Sequence, residues 1–180
     1  MKIKKGKSYA IHFPRVSFNR YNWGVAFKLD KSVESLAEYG HNITHKVFGW
    51  SHSLLPYPND KNRNSFAPHH NNSQRIGFSV GEDGMTVYAY FYNQGEWYRE
   101  VMASGLDVGG FYHATFQPTS SMGRVQHTLS QSIGEDWVRL NKATSVYNYP
   151  TFCLSFTLGF AIGSNKTAPQ KLKCKTWITR

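Results

Sequence analysis

The stretch that decides the fold is His69–Glu100, HHNNSQRIGFSVGEDGMTVYAYFYNQGEWYRE. It reads as three consecutive strands joined by two turns. Arg75–Val80 forms the first run. Gly81-Glu82-Asp83-Gly84 then turns the chain, and Asp-Gly is a strong hairpin signal because glycine accepts positive φ without steric cost. Met85–Tyr92 is the second run. It places Val87, Ala89 and Phe91 on one face and Thr86, Tyr88, Tyr90 and Tyr92 on the other. Asn93-Gln94-Gly95 makes the next turn, and Glu96–Val101 leads away from it. Aromatic and β-branched residues at period two are the mark of a half-buried strand.

Outward from this meander, strand-like runs recur at short spacing. Ile3–Ile11 is a first strand, and Arg15–Leu29 holds another strand or two. Asp30 or Ser32 caps a short helix, Val33–Tyr39, which Gly40 closes. His41–Asn72 reads as a long irregular connection rich in Asn, Pro and Ser, a composition that usually marks a functional or exposed loop. Beyond the meander come a strand around FYHATFQ, two shorter polar runs at Val125–Gln131 and Trp137–Leu140, and FCLSFTLGFAI. The last of these puts Phe152, Leu154, Phe156, Leu158, Phe160 and Ile162 on one core face. Lys171–Thr179 alternates Leu172, Cys174, Thr176 and Ile178 inward against Lys171, Lys173, Lys175 and Trp177 outward. With ten to twelve strands expected, one short helix and no βαβ rhythm, residues 1–180 are read as one all-β domain. Its expected architecture is a two-sheet antiparallel sandwich of the concanavalin-like or jelly-roll kind.

Composition agrees with a sheet protein: 16% aromatic and 18% charged residues in a chain of 180. The formal net charge of +10 calls for an acidic neighbour, whether nucleic acid, anionic glycan or another protein. Lys2, Lys4, Lys5 and Lys7 crowd one terminus, and Lys171, Lys173 and Lys175 the other. If the termini pair as strands, these charges merge into one patch, which would serve as a solvated edge, a polyanion site or an assembly contact. Cys153 and Cys174 do not make a disulfide framework and read as buried free thiols, with a bond between the two strands as the alternative. MKIKKGKSYAIHF has no apolar core of a secretory signal, and no run has the roughly 20 apolar residues of a membrane span. Synthesis in the cytoplasm and no membrane partner are therefore expected.

Catalytic constellations are sparse. Among eight histidines, His52, His69, His70, His113 and His127 were the candidates for zinc, but no ligand spacing supports a site and none is assigned. Glu96 and Glu100 are the one acidic pair at strand spacing suited to glycoside hydrolysis, which needs carboxyls about 5–9.5 Å apart across a cleft. Arg75, Gln126, His127 and Tyr90 are the residue types of a polysaccharide lyase. Phosphate loops and nucleophile elbows are absent. No cofactor is expected, and the enzyme question stays open, leaning towards none. The strongest surface signal is aromatic–basic interleaving. Trp23, Trp50, Trp97, Trp137 and Trp177 cannot all be core, and Tyr88, Tyr90 and Tyr92 form a stripe along one strand face. That stripe either meets the second sheet or meets a partner. Trp50, Tyr88, Tyr90, Tyr92, Trp97 and Arg75 are the candidate carbohydrate or partner contacts. Lys2, Lys4, Lys5, Lys171, Lys173 and Lys175 form the basic patch.

KVFGWSHS (46–53), HHNNSQRIGFSV (69–80), VYAYFYNQGEWYRE (87–100) and LGFAIGSNKTAP (158–169), taken in order, resemble small concanavalin-like or jelly-roll proteins of Bacteroidetes and their phages. Members of that group show a Gly-Gly-Asn-x-x-Ala-Pro turn near the C-terminus, and here Ser164 replaces the second glycine. The resemblance implies a lectin-like shell and, from its phage context, a non-enzymatic virion component of auxiliary, decoration or tail-associated type. It would sit in the virion against other virion proteins or copies of itself, with glycan as a further partner to test. Nucleic acid is not expected as a partner. A carbohydrate-binding module, and a polysaccharide lyase or glycoside hydrolase on the same fold, are the alternatives.

Overall fold

The computed structural model describes residues 1–10, 15–18, 21–52, 72–93, 96–121, 123–148, 154–164 and 166–179. The sequence-level expectations for His69, His70, Phe152 and Cys153 fall outside these residues. The described chain is a sandwich of two six-stranded antiparallel sheets. The first sheet has the order β1 (Lys2–Ile3), β12 (Leu172–Thr179), β3 (Trp23–Leu29), β8 (Phe111–Pro118), β9 (Arg124–Ile133) and β10 (Asp136–Val146). The second has the order β2 (Val16–Phe18), β11 (Leu154–Leu158), β4 (His45–Ser51), β5 (Asn72–Gly81), β6 (Gly84–Asn93) and β7 (Glu96–Leu106). The chain passes repeatedly between the sheets, as a jelly-roll sandwich does, and its first and last strands lie side by side.

Alternation explains why the two sheets meet. Trp23, Val25, Phe27 and Leu29 from β3, and Tyr112, Ala114 and Phe116 from β8, face inward and are buried. From the second sheet, Ile76, Phe78 and Val80 meet them with Val87, Ala89 and Phe91. Trp23 stacks on Phe116 at 4.6 Å and meets Phe48 of the opposite sheet edge-on at 6.0 Å. Phe91 meets Phe116 across the interface at 5.7 Å. Each fully buried ring of this kind contributes roughly 1.5–3 kcal/mol through lost water contact. A polar pair is admitted to this core: Trp23 Nε1 donates to Gln74 Oε1 at 2.9 Å.

The meander forms as the sequence suggests: β5 and β6 pair without a break, with Val80 opposite Met85 beside the turn, while the β6–β7 register shifts around Val87 and holds from Tyr88–Val101 to Asn93–Glu96. The helix is a 3-10 helix, Lys31–Tyr39. The Asp30 carboxylate accepts from Ser32 N, and Gly40, at φ +74°, ends it by donating to Ala37 O. β12 alternates as expected, with Leu172 and Cys174 buried and Trp177 exposed. Cys174 is a free thiol whose burial pushes its pKa up to about 12.

Three expectations change. Lys2–Ile3 is all that pairs of the expected strand Ile3–Ile11 among the described residues, with Tyr9 adding an isolated bridge to Ala161. The span His41–Asn72, read as irregular, contains β4, a strand paired on both sides, with β11 and β5, in the heart of the second sheet. The face assigned to FCLSFTLGFAI is inverted over β11. There Ser155 and Thr157 are buried, while Phe156 is only half-buried and lies opposite Ser51. The cause is local pairing: Thr157 Oγ1 accepts from Arg15 N at 2.8 Å, which fixes that parity. Past Leu158 the chain leaves the strand, and Phe160 and Ile162 return to the core.

Close approach of backbones makes Gly49 a sensitive position. A Cβ there would lie 2.2 Å from Gln74 O and 2.7 Å from Arg75 Cα, so the neighbouring strand would have to move. Gly49→Ala should therefore lower stability by about 1–3 kcal/mol in chemical denaturation. An unchanged midpoint would contradict this packing.

Candidate functional site

The outer face of the second sheet, turned away from the other sheet, carries the site. Directly opposite residues of an antiparallel sheet share a face, and three such rows cross it. One runs Phe156, Ser51, Ser73, Tyr92, Trp97. The next runs Leu158, Gly49, Arg75, Tyr90, Arg99. The third runs Lys46, Gly77, Tyr88, Val101. The tyrosine stripe therefore does not meet the other sheet; that role belongs to Val87, Ala89 and Phe91.

The middle of these rows sinks into a groove of about 410 Å³. Tyr90, Tyr92 and Trp97 line one side. Asn42 and Thr44, with residues 161–164, line the other. Ala161 is held there by a reciprocal backbone pair with Lys46, at 2.8 and 2.9 Å. Gly163 can pass because it has no Cβ, which would otherwise fall 2.2 Å from Thr44 O. Ser164 sits at φ +53°, a left-handed conformation that favours glycine.

Rings and cations interleave in the groove. Tyr90 stacks nearly parallel on Trp97 at 5.9 Å and meets Tyr92 edge-on at 5.8 Å. The Lys46 ammonium lies 4.6 Å from the Tyr90 ring centre, and the Arg99 guanidinium lies 4.6 Å from that of Tyr88. Trp97 is 58% exposed, so a ring face is open to a ligand. Tyr88 is buried beneath Arg99, its hydroxyl 3.0 Å from Ser79 Oγ.

Electrostatically the site is one-sided. Arg75 is 7% exposed; its Nη2 donates to Gly159 O at 3.0 Å, and its buried Nε has no partner among the described residues. Lys46 donates to Thr44 O at 2.8 Å, and Arg99 Nη1 donates to Asn42 O and to Thr44 Oγ1. No carboxylate lies among the described lining residues, and the one contact between a basic and an acidic side chain among the described residues, His127–Glu100, is elsewhere. Burial pushes the Arg75 pKa down to about 10, which leaves it charged at neutral pH. Burial and the Arg75 and Arg99 charges push Lys46 down to about 7. Burial first, then Tyr92, pushes Tyr90 upward, so its phenol stays protonated and poorly suited to abstract a proton.

Of the residues singled out from sequence, Arg75, Tyr90, Tyr92 and Trp97 are brought together, with Tyr88 beneath them. Trp50 is not part of this site: it is 3% exposed and packed in the core, because the parity of β4 turns it towards the other sheet. Lys46 and Arg99 were missed. Arg99 follows Trp97 at strand spacing and shares its face, so parity alone would have found it. Lys46 was hidden by a β-bulge between Lys46 and Phe48, which lets Lys46 face outward while Phe48 and Trp50 face inward.

The other constellations come apart. Gln126 and His127 belong to the first sheet, away from Arg75 and Tyr90. His127 Nε2 lies 2.7 Å from Ser145 Oγ and 3.2 Å from Glu100 Oε2, while its Nδ1 is buried and unpartnered. Serine relays use both ring nitrogens, so this cluster is a static polar contact. Glu100 is thereby tied to His127, and exposed Glu96 has no cleft to share with it. His52 Nδ1 is engaged with the Tyr147 hydroxyl at 2.6 Å, and His113 Nε2 with Thr179 Oγ1 at 2.8 Å. At the termini, β1 pairs with β12 and sets Lys2 opposite Lys173, so the two lysine clusters do merge. Lys2, Lys4, Lys7 and Lys171 line a cavity of about 730 Å³ beside Met1 and Tyr9.

No family model matches the chain, and no curated protein matches it. Among solved structures it is similar to a native heptameric SAP-like pentraxin from Limulus polyphemus, at 13% identity and a TM-score of 0.42, covering 98% of this chain and 75% of that one.

Proposed function

We propose that this protein is a lectin-like carbohydrate-binding module whose groove takes an acidic saccharide. The observation that carries this reading is the convergence of Arg75, Lys46 and Arg99 with no carboxylate among them. A buried charge without a counter-charge is costly, and a ligand carboxylate or sulfate would supply the missing one through charge-assisted hydrogen bonds. The unpartnered Arg75 Nε and Ser73 Oγ lie on the same face as the rings. Tyr92 and Trp97 offer apolar ring surface to the C–H face of a sugar, and Asn42, Thr44 and Ser164 offer polar groups to its hydroxyls. A volume of about 410 Å³ falls in the usual range of small-ligand sites, about 300–1,000 Å³. Binding is favoured over glycoside hydrolysis because the described groove residues include no carboxylate pair for that chemistry.

The virion role implied by the sequence resemblance is carried forward as a setting for this module. On a particle, as an auxiliary, decoration or tail-associated protein, it would hold the particle to acidic surface polymers. Immunolabelled negative-stain imaging of purified particles tests that setting, and absence of the chain from particles removes it.

Calorimetric titration with uronic-acid or sulfated oligosaccharides should show binding, with uncharged counterparts at least about tenfold weaker, or 1.4 kcal/mol. Trp97→Ala and Tyr92→Ala should each weaken it by about 0.5–1.5 kcal/mol. Equal affinity for charged and uncharged sugars, or indifference to both ring variants, would sink the proposal. Arg75→Met should abolish the preference for acidic sugars while raising the stability of the unliganded protein by about 1–3 kcal/mol, because an uncompensated buried charge is removed. A destabilised variant would show that Arg75 is instead a structural contact.

A further inference from the structure

The outer face of the first sheet carries a second aromatic and basic surface, on the opposite side of the sandwich from the groove. Its composition follows from pairing. Lys175 lies opposite Lys28, and Trp177 lies opposite Ala26, which lies opposite His113. His113 is in turn opposite Ser130, and Ser130 is opposite Arg139. A parallel row runs Thr179, Gly24, Thr115, Thr128, Lys142. The β-bulge between Arg139 and Asn141 keeps both Arg139 and Lys142 on this face.

Like charges directly opposite on a sheet destabilise it, yet Lys2 faces Lys173 and Lys28 faces Lys175. The six strands hold a single acidic residue, Asp136, whose partner Ile133 puts it on the other face from Trp137 and Ser132. At the rim, Asp30 feels Lys173 and Lys175, but its carboxylate is held by Ser32. The face is therefore strongly basic, with Asp30 at its rim the acidic group that acts on Lys173 and Lys175.

Its centre is aromatic. Trp177 and Trp137 are 48% and 47% exposed, and each ring lies 5.2 Å from Phe111. Trp177 stands at 80° to Phe111, and Trp137 at 52°. Rings so inclined make no common platform for a polysaccharide, whose linked sugars lie across coplanar rings. The bases of a single nucleic-acid strand turn individually about the backbone and can stack on inclined rings one at a time. We propose that this face binds single-stranded nucleic acid, its bases stacking on Trp137 and Trp177 and its phosphates meeting Lys28, Lys175, Arg139 and Lys142. This departs from the sequence-level expectation that nucleic acid is not a partner. The basic residues are scattered along the chain, and only strand pairing gathers them on one face. The inference does not depend on what fills the groove.

Tryptophan fluorescence and anisotropy titrations of the full chain with an oligothymidylate about 20 nucleotides long test it. Binding with fluorescence quenching is expected. The affinity should fall with salt at a logarithmic slope near −3, since each neutralised phosphate contributes about −0.7. Trp137→Ala and Trp177→Ala, both at exposed positions, should each weaken binding roughly five- to a hundredfold, with unchanged circular dichroism showing that they fold. Absence of binding at about 50 mM salt would overturn the proposal. So would equally tight binding of duplex DNA, whose bases are not free to stack. Heparin binding as tight as the oligonucleotide, with affinity indifferent to both tryptophan variants, would overturn it in favour of simple polyanion attraction.

Discussion

A guanidinium buried without a carboxylate is the constraint on which the functional face depends. Arg75 can lie against the second sheet because its neighbour on β4 is Gly49, where a Cβ would fall 2.6 Å from Arg75 Cγ; its other neighbour is Tyr90. The Gly159 carbonyl takes one of its donors. Nothing in the described fold neutralises the charge, and Lys46 and Arg99 add to it. Such an arrangement costs folding free energy. A sequence that keeps it holds a charged site ready for an anion, the usual compromise between stability and binding.

The sandwich makes that compromise affordable by separating its two tasks. The large inward rings, Trp23, Phe27, Phe78, Phe91 and Phe116 among them, meet in the core between the sheets. Neither outer face is needed for the core, so both can be given over to rings and cations. In the second sheet, flanking segments at 41–44 and 161–164 build a walled groove. In the first sheet the face stays open, with tryptophans standing from it. A groove suits a compact ligand group, whereas an open ribbon of charge suits a chain.

Much of the fold was legible because β6 alternates inward and outward side chains and the turns that bound it carry glycine, with aspartate at the first. The site was legible to the same depth: Arg75, Tyr90, Tyr92 and Trp97 sit on strands whose parity is unbroken between the turns. What escaped did so for physical reasons. The bulge at Lys46 breaks the period by which a reader assigns faces, so an outward lysine looks inward and an inward Trp50 looks available. β11 draws its parity from a hydroxyl bond to Arg15, a contact distant in sequence that outweighs the apolar pattern of Phe156 and Leu158. The groove walls come from segments without periodicity, which no strand pattern can place.

The central claim, uncompensated cations awaiting an anion, is tested most directly by the titration of Lys46, followed through its side-chain carbon and proton resonances in labelled protein. Lys46 carries a folded pKa near 7, below the roughly 10.4 of a free lysine. A depressed lysine destabilises the unliganded fold fully below pH 7, and that penalty fades as pH rises towards the unfolded value. An acidic saccharide would reverse the shift, so its affinity should be greatest below pH 7 and decline above it as the ammonium loses its proton. The account predicts a midpoint near 7 in the free protein and a clear upward move on adding the acidic oligosaccharide. A free-protein midpoint in the ordinary lysine range, unmoved by that ligand, would contradict it.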